Sequence, residues 1–209
     1  MSNQNVARTR DYRLEEIKFQ FKAPADILLS VMMGLFVGSI TSITMKKLDL
    51  SKKYKHYFTA DQQPGIAEFP ELVQYVSIKG IGDPSQAEFA EKVQALYATS
   101  YAIKFICKAR ENDFVVPKLE GLWWFDESKY REVTIADAPK KVSREDWQYI
   151  LLIRMPDFVN HSDITAAKEM MVGKKKIGLA ESVEPYKMKE GKVVQILLLV
   201  HLTKSQNLC

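Results

Sequence analysis

Glu120 stands inside the run Leu119-Glu120-Gly121-Leu122-Trp123-Trp124, a carboxylate within an apolar, strand-like stretch that carries two adjacent tryptophans. Side chains alternate faces along a strand, so Glu120, Leu122 and Trp124 share one face while Leu119, Gly121, Trp123 and Phe125 share the other. A carboxylate on such a half-buried surface requires a partner, a proton or a cationic ligand, because burying an unpaired charge is costly. An ionised Glu among indoles would attract a delocalised cation, and the rings would stack on it. A desolvated carboxyl also holds a proton more readily, which suits a general base that positions a water, or a proton relay. The plain alternative is a Glu on an edge strand pointing to water beside aromatics that cover a core.

The elements that must position Glu120 are legible from periodicity. Residues 72–79 alternate as a strand rich in Val, Tyr and Ile, and Gly80-Ile81-Gly82 reads as a turn. Asp83 followed by Pro84 predicts a helix start, and the helix runs to about Ile106. Phe89, Val93, Leu96, Tyr97, Ser100 and Tyr101 recur at three and four, forming a face toward the sheet. Strands follow at 115–125 and 147–155, separated by a polar loop over 126–144. In the second of these, Trp147, Tyr149, Leu151 and Ile153 fall on one face, and Gln148, Ile150, Leu152 and Arg154 on the other. A helix over 162–175, capped by Ser162 or Asp163, then an extended stretch over 180–188, a turn at Glu190-Gly191 and an apolar strand over 192–201 complete the pattern. The expected class is α+β: an antiparallel sheet with helices on one face.

A chain of 209 residues, 46% hydrophobic, supports one globular domain with some length to spare. Its net charge of +4 is spread along the chain, with short solvated runs at Lys174-Lys175-Lys176 and around Lys46, Lys47, Lys52, Lys53 and Lys55. Without a basic stripe or a binding motif, nucleic acid is not the expected partner. Cys107 and Cys209 have neither metal nor disulfide spacing, and His56, His161 and His201 lie far apart, so no metal and no cofactor is expected. No phosphate-binding glycine loop and no serine nucleophile elbow is present in the sequence.

Five segments together resemble a known family. They are Gly80-Ile81-Gly82-Asp83-Pro84, the stretches at 89–97 and 100–104, Pro117 through the Trp123-Trp124 pair, and Ile153-Arg154-Met155-Pro156-Asp157-Phe158. In order and spacing they resemble the GyrI-like (gyrase-inhibitor-like) small-molecule-binding domains, above all the stand-alone branch that includes cyclopropanoid hydrolases, over about residues 45–197. The resemblance implies two strand-helix-strand-strand units about a pseudo-twofold axis, with a groove that holds flat, aromatic, often cationic molecules. It implies either hydrolysis of cyclopropane-bearing genotoxins, with Glu120 assisting water attack, or non-enzymatic binding by a drug sensor or a gyrase-inhibitor-like interaction protein. Glu120 is the candidate catalytic residue, and Trp123, Trp124, Tyr101 and Tyr149 are the candidate ligand-binding residues.

The two ends depart from this pattern. Residues 1–44 read as an N-terminal extension with an apolar segment at 27–43. That segment is an upstream artefact ahead of Met45, a weak membrane anchor, or a helix packed on the domain. A cytoplasmic location is expected, or a membrane-anchored one with a cytoplasmic C-terminal domain. Family members continue past the strand at 192–200 with a helix and an acid-bearing strand. The tail at 198–209 does not, and its codons admit a second reading frame with the family's pattern, so the second unit is expected to be cut short by a frameshift. An apolar strand edge at 193–200 would then be exposed.

Overall fold

The computed structural model describes residues 47–134 and 137–197. The expectations for residues 1–44 and for the tail at 198–209 lie outside the described residues, and among those described no helix is long and apolar enough to cross a membrane. The described chain is α+β. Two short helical turns, α1 (Leu50–Lys53) and α2 (Lys55–Phe58), precede strands β1 (Gly65–Phe69) and β2 (Val73–Ile81). The long helix α3 (Ala87–Lys108), β3 (Glu120–Trp124), a turn of helix α4 (Ala138–Lys141) and β4 (Gln148–Arg154) follow. Helix α5 (His161–Gly173), β5 (Glu184–Met188) and β6 (Gly191–Gln195) close the order.

Four strands form an antiparallel sheet in the order β3-β4-β2-β5, while β1 and β6 pair as a separate two-stranded ribbon. Strand β1 was not expected from the sequence: its only apolar signal is Ile66, Ala67 and Phe69 between prolines. It nevertheless covers one edge of β6, from Gly65 opposite Gln195 to Phe69 opposite Gly191. The described part of the apolar edge at 193–200 is therefore paired on that side, although Ile66 and Val194 leave the ribbon's outer surface exposed.

Several boundaries move for local reasons. Gly80 and Ile81 continue β2 rather than turning, because they pair with Tyr149 and Gln148. Asp83 caps a turn instead of the helix, accepting from the Ser85 N–H, and α3 begins four residues later at Ala87. Asn160, not Ser162 or Asp163, caps α5. Its side chain accepts from Asp163 N–H, and the Asp163 carboxylate accepts from Asn160 N–H, a reciprocal capping box. Residues 115–117 stay outside β3, whose pairing with β4 begins at Glu120.

The core lies between the sheet and α3, with α5 packed against α3 and contributing Ile164, Ala167 and Met171 to the same cluster. That double coverage explains why α3 buries small residues such as Ala95, Ala98 and Ala102 beyond the predicted face. The buried hydroxyls of Thr99 and Ser100 donate to the carbonyls of Ala95 and Leu96, so neither is left unsatisfied. On the sheet side, Phe89, Trp123 and Tyr149 pack ring against ring, with centroids 5.0 to 5.9 Å apart.

Glycine makes room for those rings. Gly80 faces Tyr149 across the β2–β4 pair, and a Cβ there would lie 2.2 Å from the phenol ring. Gly80→Ala therefore overpacks this face and should destabilise the fold by about 1–3 kcal/mol, as read by chemical denaturation. A variant as stable as the parent would mean that the Tyr149 ring shifts without cost.

Candidate functional site

Alternation along the sheet gives it two chemically different faces. Trp123, Tyr149, Leu151 and Ile153 point toward α3. Tyr75, Leu122, Ile150 and Leu152 form a second, smaller cluster on the opposite face, with Val73, Tyr186 and Met188 at its margin. Glu120 opens β3 on this second face, directly across from Leu152. It is only 4% exposed, so its carboxylate depends on protein groups for solvation.

Phenols and a cation gather around it. The Tyr57 hydroxyl donates to Glu120 Oε2 at 2.6 Å. The Tyr57 hydroxyl oxygen also lies 2.8 Å from the Tyr75 hydroxyl and 2.8 Å from Glu190 Oε1. Tyr57 comes from α2, Tyr75 from near the start of β2, and Glu190 from the turn between β5 and β6. Arg154, at the end of β4 and 7% exposed, lays its guanidinium over the rings of Tyr54 and Tyr57, 4.1 and 4.9 Å from their centroids. Stacking on two aromatic faces is how a planar, weakly hydrated cation is accommodated out of water.

These elements reach one point because each is tied locally. The Asp49 side chain caps α1 by accepting from Ser51 N–H and Lys52 N–H. Tyr57 then packs edge-on against Phe69 of the ribbon, 5.1 Å between centroids, and its carbonyl accepts from the Gln195 side chain. Glu190 is placed by the turn into β6, where Gly191 adopts φ 71°, a left-handed conformation that favours glycine.

From Glu120 the same face runs outward along β3 to Leu122 and Trp124, beside Ile150 and Gln148 of β4 and Lys79 and Ile81 of β2. Leu122 and Ile150 are buried, whereas Trp124 is 40% and Ile81 62% exposed. The Trp124 indole N–H donates to Gln148 Oε1 at 3.1 Å, fixing the ring at the rim.

Of the residues expected to act with Glu120, the structure brings only Trp124 onto its face. Trp123 and Tyr149 lie across the sheet in the packed core, and Tyr101 is half-buried on α3 beside Tyr97. Sequence reasoning missed Tyr54, Tyr57, Tyr75, Arg154 and Glu190. Two signals single out three of them, although neither groups those three with Glu120. Tyr54 and Tyr57 recur at a helical spacing of three inside a lysine-rich stretch, and Arg154 sits at the end of the face already assigned to Ile150 and Leu152.

Burial pushes the phenols of Tyr57 and Tyr75 well above the ordinary tyrosine range, and the neighbouring charge of Glu120 pushes them further. The sign follows directly. A raised folded-state value stabilises fully below the ordinary tyrosine pKa of about 10, and that stability is lost as pH rises above it, because only the unfolded phenols can then ionise. Melting temperature should hold between about pH 8 and pH 10 and fall beyond. Tyr57→Phe should cost about 1–3 kcal/mol at neutral pH, since it removes a donor from buried partners, and should show a shallower alkaline fall. Circular dichroism melts across this range check both, and parallel slopes would remove Tyr57 from the titrating set.

Comparison with solved structures adds relatives. A hydrolase from Listeria innocua is similar at 30% identity and a TM-score of 0.61, over 76% of this chain and 77% of that one. Another solved structure, of a hydrolase encoded by lin2189 from Listeria innocua, is similar at 31% identity and a TM-score of 0.57, over 70% of this chain and 69% of that one. An uncharacterized conserved protein from the same organism is similar at 29% identity and a TM-score of 0.59, over 70% and 69%. No protein-family model matches the chain, and no curated protein matches it.

Proposed function

This chain belongs to the family of these Listeria innocua proteins, and we propose that it is a hydrolase of flat aromatic or cationic small molecules that works through Glu120. The observation that carries the reading is the buried carboxylate at the inner end of an apolar, aromatic-rimmed sheet face. Glu120 accepts from Tyr57 at 2.6 Å, and Leu122, Ile150 and Trp124 extend from it on one surface. Two of the similar solved structures are named as hydrolases, which supports turnover as well as binding.

In this reading a planar ligand lies along the face with its ring system over Leu122 and Ile150 and its outer edge on the Trp124 indole. The row from Glu120 to Trp124 spans four strand residues, about 13 Å, the length of a small fused-ring system. Glu120 takes a proton from water as the water oxygen bonds to the electrophilic carbon. The GyrI-like resemblance of the motifs makes a strained cyclopropane the expected electrophile, whose ring bond breaks as its electron pair moves into the conjugated system.

The second reading is a non-enzymatic drug-binding or sensor protein of the same fold, including one that acts on a gyrase-like partner. The same acid and rim would suffice for it, because binding requires charge and stacking but no placed water. Glu120→Gln separates the two. It keeps shape and removes charge, so cyclopropanoid hydrolysis, followed by chromatography, should fall by about 10²- to 10⁴-fold. Quenching of tryptophan fluorescence by a planar aromatic cation should weaken as well. Quenching by such a dye without hydrolysis in the parent protein would favour the binding reading, and equal quenching in parent and variant would remove Glu120 from the site.

A further inference from the structure

We propose that Arg154, flanked by Lys53, forms a binding subsite for an oxyanion at the α1–α2 end of the acid-bearing face. A guanidinium has two kinds of surface. Its flat sides stack on aromatic rings, while its N–H donors point outward in the plane and require acceptors. The stacking surface of Arg154 is used: its central carbon lies 4.1 Å from the ring centre of Tyr54 and 4.9 Å from that of Tyr57. The donors are not used. Among the described residues, no carboxylate, carbonyl or hydroxyl accepts a hydrogen bond from Arg154, and none of its nitrogens is sealed from solvent. The residue is only 7% exposed, so the little of it that opens to solvent includes the donor edge.

The surroundings on this side are cationic. Tyr54 is the half-buried junction between α1 and α2, and its ring also carries the Lys53 ammonium, 5.0 Å from the ring centre. Residues 50–58 include Lys52, Lys53 and Lys55 and no acid. Asp49, just before them, accepts from the Ser51 and Lys52 N–H groups and lies 3.8 Å from the Lys52 ammonium. Two cations against one phenol ring repel each other, and an anion beside them offsets that cost. Tyr75 stands directly across from Arg154 on β2 and brings a hydroxyl but no charge at neutral pH. Glu120 and Glu190 meet the hydroxyl of Tyr57, at the rim of the ring on which the guanidinium lies.

A planar fork of donors with a second cation beside it matches two oxygens of one oxyanion. The acid group of an aromatic molecule and free phosphate share that chemistry. Arg154 also lies on the same face as Glu120. Glu120 pairs across from Leu152, and Arg154 follows two residues later on β4, a diagonal spacing of about 7–8 Å. An aromatic ligand that occupies the face and the subsite together carries its acid group at the end away from Trp124. The subsite goes beyond the hydrolase reading, because it stands whether or not the ligand is turned over.

The test is isothermal titration calorimetry of the full chain with naphthoate, its neutral isostere naphthamide, and inorganic phosphate. Naphthoate should bind about 10- to 100-fold more tightly than the amide, the size of a charge-assisted hydrogen bond. Arg154→Gln should erase that preference and leave the affinity for the amide unchanged. Because Arg154→Gln also removes the stacking, Lys53→Gln, at an exposed position, serves as a second variant. It should keep the fold and weaken naphthoate alone by about two- to fivefold. Phosphate separates the two sources of the anion. Competition by phosphate means that the subsite takes a free oxyanion, and a preference for naphthoate that phosphate leaves undisturbed means that it takes the acid group of an aromatic ligand. A parent protein with neither a preference for naphthoate nor phosphate binding overturns the subsite. So does a preference that survives either substitution unchanged. The aromatic face and the subsite fail separately: amide binding without an oxyanion preference sinks the subsite alone, and phosphate binding lost in Arg154→Gln, with no binding of either naphthalene, sinks the aromatic face alone.

Discussion

The hydrogen bond from Tyr57 to Glu120 is the interaction on which the second face of the sheet depends. A carboxylate this deeply buried would destabilise the fold if water were withdrawn and nothing replaced it. Here short, charge-assisted bonding from a phenol replaces water, and that phenol must itself be held in place. Tyr57 is therefore gripped by Phe69, Gln195, Tyr75 and the Arg154 guanidinium, which ties the β1–β6 ribbon, β2 and β4 to a single residue of α2. The ribbon and the two short helices have modest apolar content of their own. Their docking follows from what they must surround.

The opposite face solves a different problem by packing alone. Phe89, Trp123 and Tyr149 fill the space beneath α3, with Gly80 and Gly121 leaving the floor bare under two of the rings. Lys92, buried with its ammonium 5.6 Å from the Tyr149 ring centre, keeps its charge satisfied by pairing with Glu88 at 2.6 Å. The two tryptophans of β3 thus serve opposite ends: Trp123 fills the core, and Trp124 stands at the rim of the acid-bearing face. Adjacent residues of one strand divide between the core and the acid-bearing face because their side chains cannot point the same way.

That separation also marks what was legible in the sequence. The antiparallel α+β class, the long helix, the central strands and the faces of β3 and β4 followed from periodicities of two and of about 3.6, which local sequence carries directly. Alternation alone already put Trp123 on the face away from Glu120, and grouping it with the site gave weight to residue type over direction. Glu190, Tyr57 and Tyr75 could not be grouped from sequence, because they lie up to 133 positions apart and meet only once α2 and the β5–β6 turn fold onto the sheet. Strand β1 was illegible for a related reason: five residues with few apolar side chains become a strand only because β6 supplies the partner.

The placement of the acids has a physical logic of its own. Glu120 stands at the start of β3, the edge strand of the four-stranded sheet, where pairing with Leu152 of β4 holds its backbone. Glu190 stands on a turn, and its approach to Tyr57 depends on Gly191 at φ 71°. A rigid acid and a turn-borne acid meeting through one hydroxyl differ in how each can respond to a ligand. The strand fixes the position of Glu120 relative to Leu122, Ile150 and Trp124, so a molecule seated on that row meets the carboxylate at a constant distance. The turn holds Glu190 between the paired ends of β5 and β6, outside either ladder. The Tyr57 hydroxyl joins the two, donating to the strand-borne Glu120 and reaching the turn-borne Glu190.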